Sequence, residues 1–76
     1  MSPDKLIYMA NQIAIQLSAR PGDEAVVETA NHISSFWEPR MRTQLFELMD
    51  QEASKFNPIV LKARPRIRPV SVESAT

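Results

Sequence analysis

Side chains that commonly catalyse reactions or bind metals are scarce in this sequence. The 76 residues include no cysteine and a single histidine, His32. One histidine does not form a common zinc site without further ligands, and no nucleophile or orienting partner accompanies it. Glu28 lies four residues before His32. An ordinary surface pair between these two side chains is therefore the simpler interpretation. We therefore predict no catalytic residue and no metal site in this chain.

The remaining candidate motifs are incomplete. Asp23 and Glu24 are typical of a helix start rather than of a paired-acid site, and the lone Gly22 predicts a turn. A phosphate-binding loop needs several glycines before a helix. We expect this chain to bind no cofactor.

The charges cancel overall but are unevenly distributed. Nine basic residues balance nine acidic ones, yet residues 1–61 hold five Lys/Arg against eight Asp/Glu. Residues 62–76 hold four basic residues and one acid. This basic run suits a phosphate backbone, but it lacks aromatic residues for base stacking. We favour the alternative that the basic run binds an acidic groove of a protein partner. A solvated tail that has no binding function is a further alternative.

No apolar run approaches the ~18–20 residues of a membrane span. The first residues also lack the charged-then-apolar pattern of a signal peptide. We therefore expect a cytoplasmic protein.

Helix signals divide the chain. Ser2-Pro3-Asp4 is a strong helix start, and Arg20-Pro21-Gly22 ends that helix. Asp23 is positioned to cap a second helix, Glu38-Pro39 separates it from a third, and Asn57-Pro58 begins a short fourth turn. The apolar positions expected to face the core are Leu6, Met9, Ala10, Ile13, Ala14 and Leu17; Val26, Val27, Ala30, Ile33 and Trp37; and Met41, Leu45, Leu48, Met49 and Phe56.

These elements predict an all-α fold: a small three-helix domain with a short fourth helical turn and an extended C-terminal tail. We place the domain at residues 1–63 and a flexible basic, proline-containing tail at residues 64–76. Short connections favour antiparallel neighbouring helices.

Two positions on the first helix point away from its apolar stripe. At about 100° per residue, Tyr8 and Ile15 lie on the outer face with Asn11 between them. We interpret them as an anchor pair for another protein, although single exposed apolar residues are also common.

A second unusual cluster lies between helices two and three. Trp37 is expected in the core, whereas Phe36 turns off that face and is a candidate for the partner-binding surface. Arg40 and Arg42 lie in the first turn of helix three, where the helix dipole disfavours cations. We expect Glu38 or a carboxylate of a partner to compensate them.

Two long motifs resemble one known family. Residues 2–13 (SPDKLIYMANQI) and 36–42 (FWEPRMR), with similar placement of residues 57–61 (NPIVL), resemble the delta subunit of NAD-dependent formate dehydrogenase. The resemblance spans roughly residues 2–61 and suggests no catalytic residue. It implies that its matching positions Tyr8, Asn11, Trp37, Arg40 and Arg42 shape or support a docking surface.

The resemblance also implies a cytoplasmic complex that oxidises formate to carbon dioxide and reduces NAD. A molybdenum-containing alpha subunit would carry bis-molybdopterin guanine dinucleotide and iron–sulfur clusters. A beta subunit would carry FMN and the NAD site, and a gamma subunit further clusters. This chain would be a non-catalytic accessory subunit that binds the alpha subunit and supports assembly or stability. The alternatives are a nucleic-acid-binding helical module and a transient maturation chaperone.

Overall fold

The computed structural model describes residues 2–70 of the chain, and within them every regular element is helical. The four α-helices are α1 (Pro3–Leu17), α2 (Glu24–Phe36), α3 (Pro39–Gln51) and α4 (Pro58–Ala63). Two 3₁₀ turns follow α3 and α4, at Ala53–Lys55 and Arg64–Arg66. The all-α prediction is confirmed.

Helix starts follow the sequence signals closely. The Ser2 hydroxyl accepts a hydrogen bond from the amide of Lys5 at 3.3 Å, and the Asn57 side chain accepts one from the amide of Ile59 at 2.9 Å. Such caps satisfy amides that have no acceptor inside the helix. Asp23 occupies the cap position of α2 but makes no side-chain cap hydrogen bond. Gly22, in the turn before it, adopts a positive φ of 58°, which glycine adopts without steric penalty.

The core forms around α1, which contacts α2, α3 and α4, while α2 packs most extensively against α4. Two small residues, Ala10 and Ala14, are fully buried on α1 and allow close approach of its neighbours. Ile7, absent from the predicted stripe, is also buried. The buried apolar residues of the main cluster are Leu6, Ile7, Ala10, Ala14, Ala30, Ile33, Trp37, Leu45, Leu48, Met49, Phe56, Val60, Ala63 and Ile67.

Phe56 reaches this core by a different route from the one predicted. The sequence placed it on the same helical face as Leu45 and Leu48, but α3 ends at Gln51. A 3₁₀ turn at Ala53–Lys55 redirects the chain, and Phe56 is then buried just before α4. The predicted burial is therefore correct and the predicted helical register is not.

The C-terminal segment continues the packed structure beyond the predicted boundary at residue 63. Arg64–Arg66 form a 3₁₀ turn that contacts α2 and α4, and Ile67 is only 3% exposed. The extended part thus begins at Ile67 rather than at Arg64, because an apolar side chain anchors the basic run to the core. Residues 71–76 of the predicted tail lie outside the described residues.

Candidate partner-binding surface

The outer face of α1 carries two large apolar side chains, as the sequence predicts. Tyr8 is 63% exposed and Ile15 is 52% exposed. Leu6, Ala10 and their neighbours occupy the side of the helix that faces the core. Tyr8 and Ile15 face away from that side. Seven residues of α-helix place them about 10 Å apart along the helix axis. Their exposure is confirmed, and their role in partner binding stays a prediction.

Phe36 and Trp37 diverge where α2 ends. Phe36 is 73% exposed, whereas Trp37 turns inward and is buried. Both assignments were predicted from the sequence. Helical geometry ends at Phe36, since Trp37 adopts an extended backbone, and consecutive side chains can then point to opposite sides.

The His32 ring lies against Phe36, with ring centroids 4.8 Å apart and a tilt of 40° between planes. The expected pair between His32 and Glu28 is not formed. Glu28 instead forms an ion pair with Arg20, with 3.4 Å between Oε2 and Nη1, which ties the loop after α1 to α2. His32 and Phe36 are both exposed and together form an aromatic ledge at the C-terminal end of α2.

Asn11, predicted to lie between the two anchors as part of the docking surface, is engaged inside the chain. Its Nδ2 donates to the carbonyl oxygen of Lys55 at 3.0 Å. Its Oδ1 accepts from the amide of Asn57 at 2.8 Å. The amide therefore holds the junction between the first 3₁₀ turn and α4 against α1. No local sequence pattern signals this, because the partners are 44 and 46 residues away.

Arg42 differs most from its predicted environment. It is only 6% exposed, and its Nη1 donates to the carbonyl oxygen of Arg68 at 3.2 Å. Its Nε is buried without a hydrogen-bond partner. Arg42 forms no ion pair within residues 2–70, so Glu38, one of the two compensating groups expected, does not pair with it. Its guanidinium is bound to the C-terminal segment, and its role in partner binding stays a prediction.

Two side chains hold both backbone groups of Arg68. Ser34 of α2 accepts from its amide at 2.8 Å, and Arg42 of α3 donates to its carbonyl oxygen. The C-terminal segment is thereby bound to α2 and α3 together. Sequence reasoning missed this arrangement, since neither a serine nor an arginine indicates a backbone partner 26 to 34 residues away.

Arg40 remains at the surface, in the first turn of α3. In the described part of the chain its side chain forms no ion pair or hydrogen bond. Glu38, at the cap position, makes no side-chain cap hydrogen bond. A shallow groove between α3 and Val70 runs beside Arg40. This end of α3 therefore presents positive charge that no acid of residues 2–70 pairs with.

The basic C-terminal run is partly neutralised. Arg64 donates two hydrogen bonds to the carboxylate of Asp50 and lies 5.4 Å from the centroid of the Phe46 ring. The hydrogen bonds lower the pKa of Asp50 and raise that of Arg64, and mutual attraction acts in the same direction. One of the four cations expected to meet a nucleic acid or an acidic groove is thus paired with this chain.

Residues 2–70 contain no group of three acidic or histidine side chains close enough to hold a metal ion. No helix there has the length and apolar character needed to cross a membrane.

The described residues form a small helical structure with exposed large apolar side chains on α1 and α2 and, on α3, an arginine that forms no ion pair within residues 2–70. A family model described as the NADH-dependent formate dehydrogenase delta subunit FdsD matches residues 5–64. The chain belongs to this family, and the resemblance to it is confirmed; residues 2–4 of the first motif lie outside the matched range. No curated protein matches the chain. The family match ends at Arg64, so Ile67 and Arg68 lie beyond it.

Proposed function

We propose that this chain is a non-catalytic accessory subunit of an NAD-dependent formate dehydrogenase complex in the cytoplasm. It binds the molybdenum-containing alpha subunit and supports assembly or stability of the complex. The observation that carries the proposal is the family match over residues 5–64. Formate oxidation and NAD reduction would then take place on the other subunits.

The composition supports a division of labour within the complex. Iron–sulfur clusters are held mainly by cysteine thiolates, and this sequence has no cysteine. The proposal therefore assigns the molybdenum centre, the clusters, FMN and the NAD site to the alpha, beta and gamma subunits. This chain would contribute contact surface and no chemical step.

The exposed apolar residues support a docking role. Fully burying a large apolar side chain contributes about 1.5–3 kcal/mol, and Tyr8, Ile15 and Phe36 are each more than half exposed. An ordinary interface covers about 800 Å² on each partner. The accessible surface of the chain is 5008 Å², so such a contact would occupy roughly a sixth of it.

The proposal is tested by affinity purification of the tagged chain from its host. We expect the chain to retain a polypeptide that contains molybdenum and supports formate-dependent reduction of NAD. Deleting the gene should lower that activity in extracts, and the wild-type gene should restore it. If the tagged chain retained no formate dehydrogenase, the proposal would be wrong.

A double variant locates the surface. Tyr8→Ala with Ile15→Ala should reduce the amount of formate dehydrogenase retained by roughly tenfold or more, which corresponds to about 1.4 kcal/mol per factor of ten. Lys5→Ala with Gln16→Ala is the matched control, because both residues are exposed polar positions on the same helix. Circular dichroism should show unchanged helicity in both variants. Equal retention by the two would exclude the α1 face as the docking surface.

The same purification separates a permanent subunit from a maturation chaperone. A permanent subunit is present in the purified complex of full activity and full molybdenum content. A chaperone is found only with alpha subunit that lacks its cofactor. We expect the first result.

A further inference from the structure

We propose that the side of the domain formed by α2 and α3 is a binding site for an extended peptide that contains arginine and proline. Residues 64–70 of the chain occupy this site and are its intramolecular ligand. A segment of similar composition in another polypeptide competes with them for the site. This inference goes beyond the proposed function and does not depend on it.

The site contacts the backbone of its occupant through two side chains. Ser34 of α2 accepts a hydrogen bond from the amide of Arg68 at 2.8 Å. Nη1 of Arg42 on α3 donates to the carbonyl oxygen of the same residue at 3.2 Å. Every residue except proline has this amide and this carbonyl. The two contacts therefore fit an extended segment with almost any side chain at this position.

The occupant has the backbone geometry of a polyproline II helix at its buried residue. Ile67 has φ −75° and ψ 134°, and the polyproline II conformation has φ of about −75° and ψ of about +145°. Pro65 and Pro69 lie two residues to either side of Ile67. Proline favours extended geometry in the unbound chain. A segment with this spacing of prolines therefore loses little conformational entropy when it binds.

Side chains of α3 match the composition of the occupant. Asp50 accepts two hydrogen bonds from Arg64, whose guanidinium also lies 5.4 Å from the centroid of the Phe46 ring. Phe46 and Pro69 line the same groove, and Ile67 is the buried apolar anchor. Aromatic-lined grooves bind proline-rich segments in other proteins, and a carboxylate beside such a groove selects arginine.

The intramolecular occupant leaves the site incompletely satisfied. Nε of Arg42 is buried without a hydrogen-bond partner, and the partner of its Nη1 is a neutral carbonyl. A buried donor without an acceptor weakens the closed arrangement. The ion pair between Asp50 and Arg64 is partly exposed, and such pairs contribute little. These features favour an occupant that dissociates while the four helices stay folded.

The family match divides the site from its occupant. The matched residues 5–64 include Ser34, Arg42, Phe46 and Asp50. Ile67 and the two backbone groups of Arg68 lie beyond the match. The site therefore belongs to the matched part of the chain, and most of the segment that fills it does not.

Titration with a synthetic peptide tests the proposal. The peptide has the sequence of residues 64–70 (RPRIRPV), and NMR follows the amides of the isotope-labelled full chain. Because the occupant competes with the peptide, the apparent affinity falls with the fraction of chains whose site is free. Ile67→Ala in the chain weakens the occupant and leaves the peptide unchanged. We expect this variant to bind the peptide about tenfold or more tightly than wild type, with shifts at the amides of Ser34 and Arg42.

Two controls locate the binding. In the Ile67→Ala chain, adding Ser34→Ala should weaken binding of the peptide by roughly threefold to tenfold, because the peptide amide loses its acceptor. Adding Ser35→Ala, at the neighbouring exposed serine, should leave binding unchanged. A peptide with aspartate in place of its isoleucine (RPRDRPV) should not bind, since the buried position disfavours a charge.

Each remaining outcome overturns the proposal. If neither wild type nor Ile67→Ala binds the peptide, the site does not take an extended peptide from another molecule. If circular dichroism shows that Ile67→Ala is unfolded, residues 64–70 are part of the core and not a dissociable occupant. Equal binding of RPRIRPV and RPRDRPV, or binding that Ser34→Ala does not change, would indicate charge attraction at another surface.

Discussion

The outer face of α1 and the C-terminal segment at residues 64–70 show opposite relations between composition and burial. On α1, Tyr8 and Ile15 are apolar and exposed. In the C-terminal segment, a run rich in arginine packs on the helices through the buried Ile67. Burial in so small a domain therefore depends on which neighbouring elements are available to cover a side chain. Four short helices cannot cover both sides of α1, whereas the gap beside α2 and α4 accommodates one more side chain.

Two isoleucines give the sharpest test of this comparison. Ile67→Ala should lower the free energy of unfolding by about 2–4 kcal/mol, because it removes a buried side chain and leaves a cavity. Ile15→Ala, the matched control, should change it by less than about 0.5 kcal/mol. Urea unfolding followed by circular dichroism measures both. Equal small effects would show that residues 64–70 do not pack on the helices in solution.

A substitution at Asn11 tests whether its side chain holds residues 55–57 against α1. Asn11→Ala removes both hydrogen bonds to the chain at residues 55–57 and should cost about 1–3 kcal/mol of stability. Asn31→Ala is the control, since Asn31 is exposed on α2 and makes no side-chain hydrogen bond among the described residues. Hydrogen exchange should also show faster exchange at the amide of Asn57. Unchanged protection there would contradict the contact.

The smallest expected effect comes from the ion pair that holds the C-terminal segment to α3. Hydrogen bonding from Arg64 lowers the pKa of Asp50 below its ordinary value of 3.8. A lowered pKa in the folded state stabilises the protein above the unfolded-state pKa, and this stabilisation is lost as the pH falls through the folded-state pKa. Asp50→Asn should therefore be slightly less stable than wild type at pH 7.

The difference between Asp50→Asn and wild type should disappear as the pH falls below 3.8. Unfolding curves between pH 7 and pH 2 measure it. Glu47→Gln serves as the control, because Glu47 is an exposed acid of α3 without an ion pair in the described residues. A difference that persists at the lowest pH would show that the charge of Asp50 is not the cause.

Arg40 and Arg42 show why the candidate surface was only partly predictable. They are two residues apart in one helical turn, and the sequence assigns them the same role. On a helix, two positions are about 200° of rotation, so one faces the protein and the other faces solvent. Which arginine faces inward depends on the rotation of α3 about its axis, relative to α1, and on the position of the C-terminal segment. No local sequence pattern indicates either of these two factors.

Local sequence signals were sufficient to predict the helix starts and most of the core. Ser2-Pro3, Glu38-Pro39 and Asn57-Pro58 start helices because proline at the first helical position sacrifices no hydrogen bond and breaks any preceding helix. Helical periodicity then separated most of the core from the exposed Tyr8 and Ile15. The two motifs at residues 2–13 and 36–42 were sufficient to recognise the family.

The contacts between distant parts of the chain depend on how the helices pack and could not be predicted from local sequence. Asn11 with the 55–57 turn, Ser34 and Arg42 with Arg68, and Asp50 with Arg64 join residues that are 14 to 46 positions apart. Periodicity and capping act over one or two helical turns, so they carry no information about such pairs. These pairs form because packing the helices brings polar groups together, and each group then takes the partner that burial leaves within reach.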